Sequence, residues 1–518
     1  MPVPVERARL QPVRKSILAA SAASVVLSIA APSWANGRFP AANQLVFAPN
    51  DPNFIVLRTT FAVLPSTDNG TTWRYICEGV LGLPSDQGED PAIGLMADDS
   101  LLAGVPGYVG GGLGLSVSPD RGCNWNCIGG GLTGQSVIDV AVRPDTPTSA
   151  VALTGTIVPT DSAFSNTYSQ IFETTDNGKT WAAIGTPIDP TVLVTTIDVT
   201  KTDPNRIYVS GTRAYGSART ASLFISKDKG ATWTEAPIPM FDPSSEQSIY
   251  IAAIDPTNAD NVYLRSNGNL LGGQSRIYFT RNGGADGGAK FAMTASLPDE
   301  GGFDVEEASS NDITGELLGF ALSPDGSKAY AGTVESGLWI ASTSDMQFTQ
   351  KNANVRIKCL QTRNSELWAC SDISSGFTLG ESLDDGATFT PKIQYVTSLC
   401  GSVECQPNPG GPLGCGAMAN ATSCQAAYEA YCMATDVTNS CGTCPGGDAG
   451  APAGDAGGSS GGAGDAGHDG GASSGGAGSA ASSSSCGCST VGGRGATGFA
   501  AVLGLAGLAL LRRRGKGR

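Results

Sequence analysis

Short runs in which apolar and polar residues alternate recur through the central part of the chain, and turns rich in Pro, Asp and Asn join them in pairs. A period of two residues is typical of a half-buried β-strand. Clear pairs are Val137–Val142 with Ala150–Leu153, Thr195–Val199 with Ile207–Val209, Ile249–Ile254 with Val262–Leu264, and Leu317–Leu322 with Ala329–Ala331. The pattern therefore predicts antiparallel hairpins that repeat along the chain.

One octapeptide of the form Ser/Thr-x-Asp-x-Gly-x-x-aromatic also recurs. The five clear copies contain Asp68, Gly70 and Trp73; Asp120, Gly122 and Trp125; Asp176, Gly178 and Trp181; Asp228, Gly230 and Trp233; and Asp384, Gly386 and Phe389. Degraded copies begin at Thr280 and Ser342. A mean spacing of about 53 residues gives seven units, which is typical of propellers and solenoids. Within each copy we expect Asp to bind the turn backbone, Gly to take a positive φ and the aromatic ring to enter the core.

The octapeptide resembles the Asp-box, or BNR repeat, of sialidases, oligoxyloglucan-type glycosidases, sortilin-like receptors and photosystem assembly factors. In those families the box lies on the outer rim, between the third and fourth strands of each blade. The resemblance implies an all-β fold over residues 36–397, a seven-bladed β-propeller of four-stranded blades. It does not decide the function, because the same box occurs in hydrolases and in binding proteins.

The innermost strands of a propeller line a central channel, so carboxylates near these strands are candidate catalytic residues. They are Glu89, Asp90, Asp139 and Asp198, with a further group at Glu306, Glu307, Asp312 and Glu316. Glycoside hydrolysis needs two carboxyl groups at a defined separation, and this set permits it. The alternative is structural: Asp139 and Asp198 hold equivalent positions in successive repeats and satisfy backbone groups around the channel.

The segment Gly37-Arg38-Phe39-Pro40 shares Arg-x-Pro with the F-R-I-P motif of sialidases, at the corresponding start of the first blade. The similarity implies that Arg38 binds a substrate carboxylate. The first and third letters differ, however, and the tyrosine–glutamate pair and two further arginines of that family have no clear counterparts. Four arginines are available for that role, Arg58, Arg143, Arg213 and Arg265, and we interpret Arg143 as a solvated turn residue before Pro144.

Composition removes several classes of function. The net charge is −15 and the basic residues form no stripe, so we expect no nucleic-acid partner. The chain has 1 histidine, His468, which excludes Ser-His-Asp and Cys-His catalysis and histidine-ligated zinc. We expect no metal, no cofactor and a monomeric protein. The 70 glycines indicate abundant turns.

Seven of the 14 cysteines fall in a short Cys-rich segment, residues 398–445. In an exported protein such density indicates disulfides. Seven is odd, and Cys77, Cys123 and Cys127 form another odd set, so a bridge between the segment and the propeller would satisfy both counts. A bridge from Cys77 to Cys123 or Cys127 between adjacent blades is the alternative. Cys359 and Cys370 are symmetric about a turn at Asn364-Ser365, which predicts a cross-strand disulfide.

Both ends of the chain carry targeting patterns. Residues 1–35 combine basic residues, an apolar run and Ser33-Trp34-Ala35, as in a signal peptide.

Residues 446–485 are almost entirely Gly, Ala, Ser and Asp, the composition of a disordered linker. The tail at 486–518 has Cys486 and Cys488, an apolar stretch at 495–511 predicted as a short transmembrane helix, and an Arg cluster. This order resembles MYXO-CTERM sorting tails, which implies a sorting protease and surface attachment through a motif cysteine; an ordinary membrane anchor is the alternative.

Together these patterns predict an exported propeller, displayed on the surface of a Gram-negative, myxobacterial-type cell. We expect it to bind an extracellular glycan or protein at the channel mouth, because rigid repeats that present variable loops form binding faces. A glycoside hydrolase that uses the carboxylates near the channel is the alternative.

Overall fold

The structure is a computed structural model. It describes residues 42–81, 90–106, 114–158, 166–213, 218–268, 275–283, 305–307 and 313–403, apart from positions 129, 239, 314 and 395–398, and it also describes positions 424 and 428. The linker and the sorting tail predicted from the sequence lie outside these residues. In the part of the chain described, no helix has the length and apolar character needed to span a membrane.

The described residues form seven antiparallel blades, one after another along the chain. The first three blades contain β1 (Ala42–Phe47), β2 (Ile55–Thr59), β3 (Val63–Ser66) and β4 (Trp73–Tyr75); β5 (Ala92–Leu95), β6 (Leu101–Val105), β7 (Gly114–Ser118) and β8 (Asn126–Cys127); and β9 (Val137–Val142), β10 (Ala150–Val158), β11 (Asn166–Thr174) and β12 (Ala182–Ile184). The fourth and fifth contain β13 (Val192–Val199), β14 (Ile207–Arg213), β15 (Thr220–Ser226) and β16 (Thr234–Pro237); and β17 (Glu246–Ile254), β18 (Val262–Gly268), β19 (Ile277–Thr280) and β20 (Val305–Glu307). The last two contain β21 (Leu317–Leu322), β22 (Lys328–Thr333), β23 (Gly337–Ser342) and β24 (Thr349–Asn352); and β25 (Cys359–Arg363), β26 (Glu366–Cys370), β27 (Leu379–Ser382) and β28 (Thr390–Ile393). The protein is thus a seven-bladed β-propeller of four-stranded blades, as the repeat predicts.

In six blades the strands follow one another in space in the order in which they occur in the chain, from the channel outward. In the first blade β1–β3 form the sheet, a single bridge from Val63 to Ile76 attaches the segment of β4, and β4 itself pairs with a later strand at Leu399–Ser402. The four hairpins predicted from alternation are the first two strands of the third to sixth blades. Blades cover one another on both faces, so middle strands such as β6, in which every residue is buried, consist almost entirely of apolar residues.

The octapeptide forms the turn between the third and fourth strands of a blade. In the first copy Asp68 Oδ1 accepts a hydrogen bond from the backbone N–H of Thr72 (2.8 Å), and the N–H of Gly70 donates to Ser66 Oγ (2.9 Å). The indole N–H of Trp73 donates to the carbonyl oxygen of Gly70 (3.1 Å). Similar bonds recur around Asp176 and Asp384, and those from Thr388 and Ser382 lower the pKa of Asp384 to about 2. These bonds are the turn chemistry that the sequence predicts.

Two consecutive residues of each clear octapeptide have left-handed backbone conformations. In the first copy these are Asn69 (φ 56°) and Gly70 (φ 78°), and in the last they are Asp385 (φ 56°) and Gly386 (φ 83°). Glycine is favoured at the second position because side chains are strained there. The aromatic residue is buried more variably than predicted: Trp73 and Trp125 are fully buried, whereas the other three rings are partly exposed.

Two disulfides involve the first and last blades. Cys359 and Cys370 are directly opposed on β25 and β26, with a Cα–Cα distance of 4.7 Å, and form the predicted cross-strand disulfide. Cys77 pairs with Cys424 of the Cys-rich segment, at a Cα–Cα distance of 5.4 Å. The predicted bridge between segment and propeller is therefore present, and the alternative pairings of Cys77 with Cys123 or Cys127 are wrong. Both of those cysteines also form disulfides.

Candidate functional site

The inner strands of all seven blades surround an axial channel with a volume of about 780 Å³. Its described wall is polar for much of its length, since Gln44, Thr196, Gln361 and Thr362 contribute to it along with two carboxylates. Asp139 and Asp198, which are predicted from the sequence, are these two carboxylates. The channel is the candidate site because it is where sequence-predicted titratable residues meet a cavity.

Inner strands of neighbouring blades are linked by polar side chains. Gln44 on β1 donates to the carbonyl oxygen of Ile93 (3.0 Å) and accepts from its N–H (3.2 Å), as a paired strand would. Thr196 Oγ1 on β13 accepts from the N–H of Ile251 on β17 (2.8 Å). Thr362 on β25 donates to the carbonyl oxygen of Leu322 on β21 (2.6 Å). These side chains satisfy backbone groups of the neighbouring inner strand and so link the blades around the channel.

Asp139 belongs to this set of links. Its Oδ2 accepts from the N–H of Ile197 on β13 (3.0 Å), and its Oδ1 accepts from the N–H of Val140 (2.9 Å). Desolvation in the channel wall raises the pKa of Asp139 to about 7, although the two hydrogen bonds act in the opposite direction. Both carboxylate oxygens therefore hold backbone groups, which is the structural alternative considered from the sequence.

Asp198 lies on the strand to which Asp139 is bonded. Its Oδ1 accepts from the N–H of Val199 (2.8 Å), and desolvation raises its pKa to about 6. The negative charge of Asp198 also contributes to the raised pKa of Asp139, while the positive charge of Arg58 opposes it. The structure thus brings two of the predicted carboxylates together as an interacting pair on the third and fourth blades.

We expect Asp139 to make the stability of the fold depend on pH. Its native pKa of about 7 lies above the ordinary value of 3.8, so the native state binds this proton more tightly than the unfolded chain does. The favourable contribution is complete below about pH 4 and is lost as the pH rises through about 7.

Thermal melts of the protein and of Asp139→Asn at about pH 5 and about pH 8 test this expectation. The melting temperature of the wild type minus that of the variant should increase as the pH falls. A difference between the two proteins that is the same at both pH values would contradict it.

Asp90 lies outside the channel lining, just before β5. Its Oδ2 accepts from the side-chain amide of Asn43 on β1 (2.9 Å), so it joins the first and second blades. Arg58 on β2 donates to the carbonyl oxygen of Pro91 (2.8 Å), at the same seam. Glu89 and Arg38, the remaining predicted site residues, lie outside the described residues.

The described members of the second group of candidate carboxylates lie on an outer strand or just before an inner strand. Glu306 and Glu307 lie on β20, the outermost strand of the fifth blade, so their interpretation as residues near an inner strand is wrong. Glu316 precedes β21, an inner strand, and Asp312 lies outside the described residues. A long insertion in the fifth repeat conceals this register in the sequence.

The four arginines considered for a sialidase-like site do not converge on a common point of the described structure. Arg213 is held by Glu235 (2.7 Å) and Asp189 (2.9 Å), and Arg265 donates to the carbonyl oxygen of Leu317 (3.1 Å). Arg143 is 3 % exposed and donates to Glu173 (2.8 Å) and to the carbonyl oxygen of Pro204 (2.8 Å). Its interpretation as a solvated turn residue is therefore wrong, because it is a buried link between the third and fourth blades.

The described wall also lacks an open aromatic face. Phe47 and Phe320 are the aromatic residues that line its described part. Phe47 packs edge-on against Trp368 (5.6 Å between centroids), and Phe320 stacks on Tyr263 (5.7 Å) and is 8 % exposed. Among the described residues, no three His, Cys, Asp or Glu side chains group in a way that suits a metal ion. The wall therefore offers hydrogen-bonding groups and charge rather than a stacking surface.

Fold and channel together define a β-propeller with a partly polar axial channel. A family model described as "Sortilin-Vps10: Sortilin, neurotensin receptor 3" matches residues 114–241, from β7 to just beyond β16. No curated protein matches the chain.

Several solved structures are similar. YCF48 from Cyanidioschyzon merolae is 14% identical, with 64% of this chain and 93% of that chain covered and a TM-score of 0.40. The GH74 enzyme of Niastella koreensis is 15% identical, covering 68% and 65%, with a TM-score of 0.29. The Cps50 (Swd1) β-propeller domain of Myceliophteria thermophila is 10% identical, covering 65% and 95%, with a TM-score of 0.41. At these identities the similarity concerns the fold alone.

Proposed function

We propose that this protein is an exported, surface-anchored β-propeller that binds an extracellular glycan or protein at one mouth of its channel. The observation that supports binding rather than hydrolysis is the engagement of Asp139, whose two oxygens each accept a backbone N–H. A catalytic carboxylate needs an oxygen directed at the substrate. Asp139 is instead part of the wall.

Disulfide content supports the proposed location. The bonds Cys77–Cys424 and Cys359–Cys370 are of the kind that persists outside the reducing cytosol. The signal-peptide pattern of residues 1–35 and the MYXO-CTERM-like tail of residues 486–518 agree with export and surface attachment. We propose that the tail is processed by a sorting protease at the membrane.

The alternative function is glycoside hydrolysis, sialidase-like or oligoxyloglucanase-like. One observation favours it: two neighbouring carboxyl groups have pKa values of about 7 and about 6, as a general acid at neutral pH requires. Asp198 would be the group that contacts the substrate. Its Oδ1 accepts a backbone N–H, whereas among the described contacts its Oδ2 accepts none.

Binding and hydrolysis screens of the purified full chain separate the two functions. We expect the protein to bind a glycan or protein ligand at micromolar concentration or better and to release no sugar from a panel of polysaccharides. Asp198→Asn should weaken binding about tenfold, the effect of one polar contact worth about 1.4 kcal/mol. Asp145→Asn is the matched control, since Asp145 is an exposed aspartate beyond the end of β9.

Release of sugar that Asp198→Asn abolishes and Asp145→Asn preserves would overturn the binding proposal in favour of the hydrolase. Equal binding by both variants would show that the ligand does not reach the carboxylate pair.

A further inference from the structure

The seam between the seventh and first blades differs from the other six because the chain does not run directly across it. Consecutive blades are joined by the chain itself, which keeps neighbours together at high effective concentration. In the described structure β1–β4 and β25–β28 each come from one repeat, so neither terminal blade takes one of its four strands from the other end of the propeller. Another element must join the last blade to the first.

Noncovalent contacts at this seam centre on Arg363. Its guanidinium donates to the carbonyl oxygen of Pro52 (2.8 Å) and to Asn69 Oδ1 (2.6 Å), both in the first blade. It also lies over the ring of Phe47, 4.6 Å from the centroid. Comparable side-chain contacts cross other seams, such as those of Arg143, so they do not replace chain continuity.

The chain after the seventh blade returns to the first blade. Strand β29 (Leu399–Ser402) pairs in parallel with β4, and the N–H of Val403 donates to the carbonyl oxygen of Tyr75 (3.2 Å). Further on, Cys424 forms the disulfide with Cys77. We call Leu399–Ser402, Val403, Cys424 and Tyr428 the strap.

The strap is packed as part of the core rather than attached to the surface. Leu399, Cys424 and Tyr428 are at most 5 % exposed and belong to the apolar cluster that contains Trp73. The ring of Tyr428 lies 5.8 Å from that of Tyr75, and its hydroxyl donates to the carbonyl oxygen of Leu399 (3.1 Å). The two described parts of the strap therefore contact each other as well as the first blade.

We propose that the strap closes the propeller ring, and that the Cys77–Cys424 disulfide gives the last seam the covalent continuity that the chain gives the other six. The bond joins residues 347 positions apart, whereas Cys359–Cys370 joins residues 11 apart within one blade. A link across the whole ring restricts opening of the seam, and a link within a hairpin does not.

Hydrogen exchange on the full chain tests the proposal, with Cys77→Ala/Cys424→Ala compared with Cys359→Ala/Cys370→Ala. The first pair should speed amide exchange in β1 and β25 about tenfold or more, while β9 and β13 at the seam between the third and fourth blades keep wild-type rates. The second pair should affect β25 and β26 and leave β1 protected. Unchanged exchange in β1 in the first variant, or equal acceleration in all four strands, would overturn the proposal.

Tyr428→Ala provides a second test in which the disulfide is retained. We expect faster exchange in β29 and β4 but wild-type rates in β1, because the covalent link still holds the seam. Loss of protection in β1 despite an intact disulfide would show that packing, rather than the bond, closes the ring. This variant also gives an answer if the cysteine pair does not fold without its disulfide.

Discussion

Replacing Glu246 by alanine is expected to lower the free energy of unfolding by about 3–5 kcal/mol, because several buried donors lose their acceptor and a cavity is left. Glu246 opens β17 and is completely buried. The hydroxyl of Tyr278 lies 2.8 Å and 2.9 Å from its two carboxylate oxygens, and the N–H of Asp242 donates to Oε2 (2.6 Å). Arg276 approaches Oε2 at 3.3 Å. Alanine would remove the acceptor for these donors and leave a cavity.

Glu246→Gln is the matched control for this substitution. Glutamine has nearly the same shape, its carbonyl oxygen can accept from the Asp242 N–H, and the Tyr278 hydroxyl can rotate to accept from the new amide. Denaturant unfolding should show a loss of about 1 kcal/mol for this variant, the net value of an ordinary hydrogen bond. Losses of equal size in both variants would show that the carboxylate charge, rather than satisfied hydrogen bonding, is what stabilises the fifth blade.

Features set by neighbouring residues in the chain were predictable from the sequence. The turn around Asp68 is determined within eight residues, since Ser66, Asp68 and Gly70 bond to one another and to the next two residues. The Cys359–Cys370 bond follows from one hairpin register. Repetition of such local signals seven times was enough to predict the architecture.

Contacts between distant parts of the chain were not predictable, because they join residues 30 or more positions apart, within a blade or between blades. Nothing in the sequence around Arg143 shows that Glu173 and Pro204 will surround it, and the residues that bury Glu246 follow some 30 positions later. The links through Gln44, Thr196 and Thr362 were missed for the same reason. A polar residue within an inner-strand run is the sequence signal that these links share with Asp139.

The candidate site also combines features that neighbouring residues predict with contacts that the sequence does not reveal. Asp139 and Asp198 were found because each follows an isoleucine in a strand-like run of successive repeats. Whether such an aspartate serves chemistry or structure depends on where its oxygens point, and for Asp139 that depends on how β9 and the bulged strand β13 lie side by side, so that the N–H of Ile197 meets Oδ2. Only three-dimensional structure supplies this information.

Replacing Trp73 by alanine should lower the free energy of unfolding by about 3–5 kcal/mol, the typical loss for a fully buried aromatic ring. Trp73 is fully buried in the apolar cluster shared by the first blade, the seventh blade and the strap. The substitution removes this packing and also the hydrogen bond from the indole to the Gly70 carbonyl oxygen. Trp233 occupies the same position of the octapeptide but is partly exposed, and its indole donates to Thr186 (3.0 Å) instead.

Trp233→Ala is therefore the matched control, and its expected loss is about 1–2 kcal/mol, in proportion to the smaller apolar surface removed from contact. Denaturant unfolding of both variants measures the difference. If burial determines the effect, Trp73→Ala is the more damaging change, because its ring joins the two ends of the propeller. If the two losses are equal, the aromatic residue acts through the local turn, and the octapeptide contributes the same stability to every blade regardless of its surroundings.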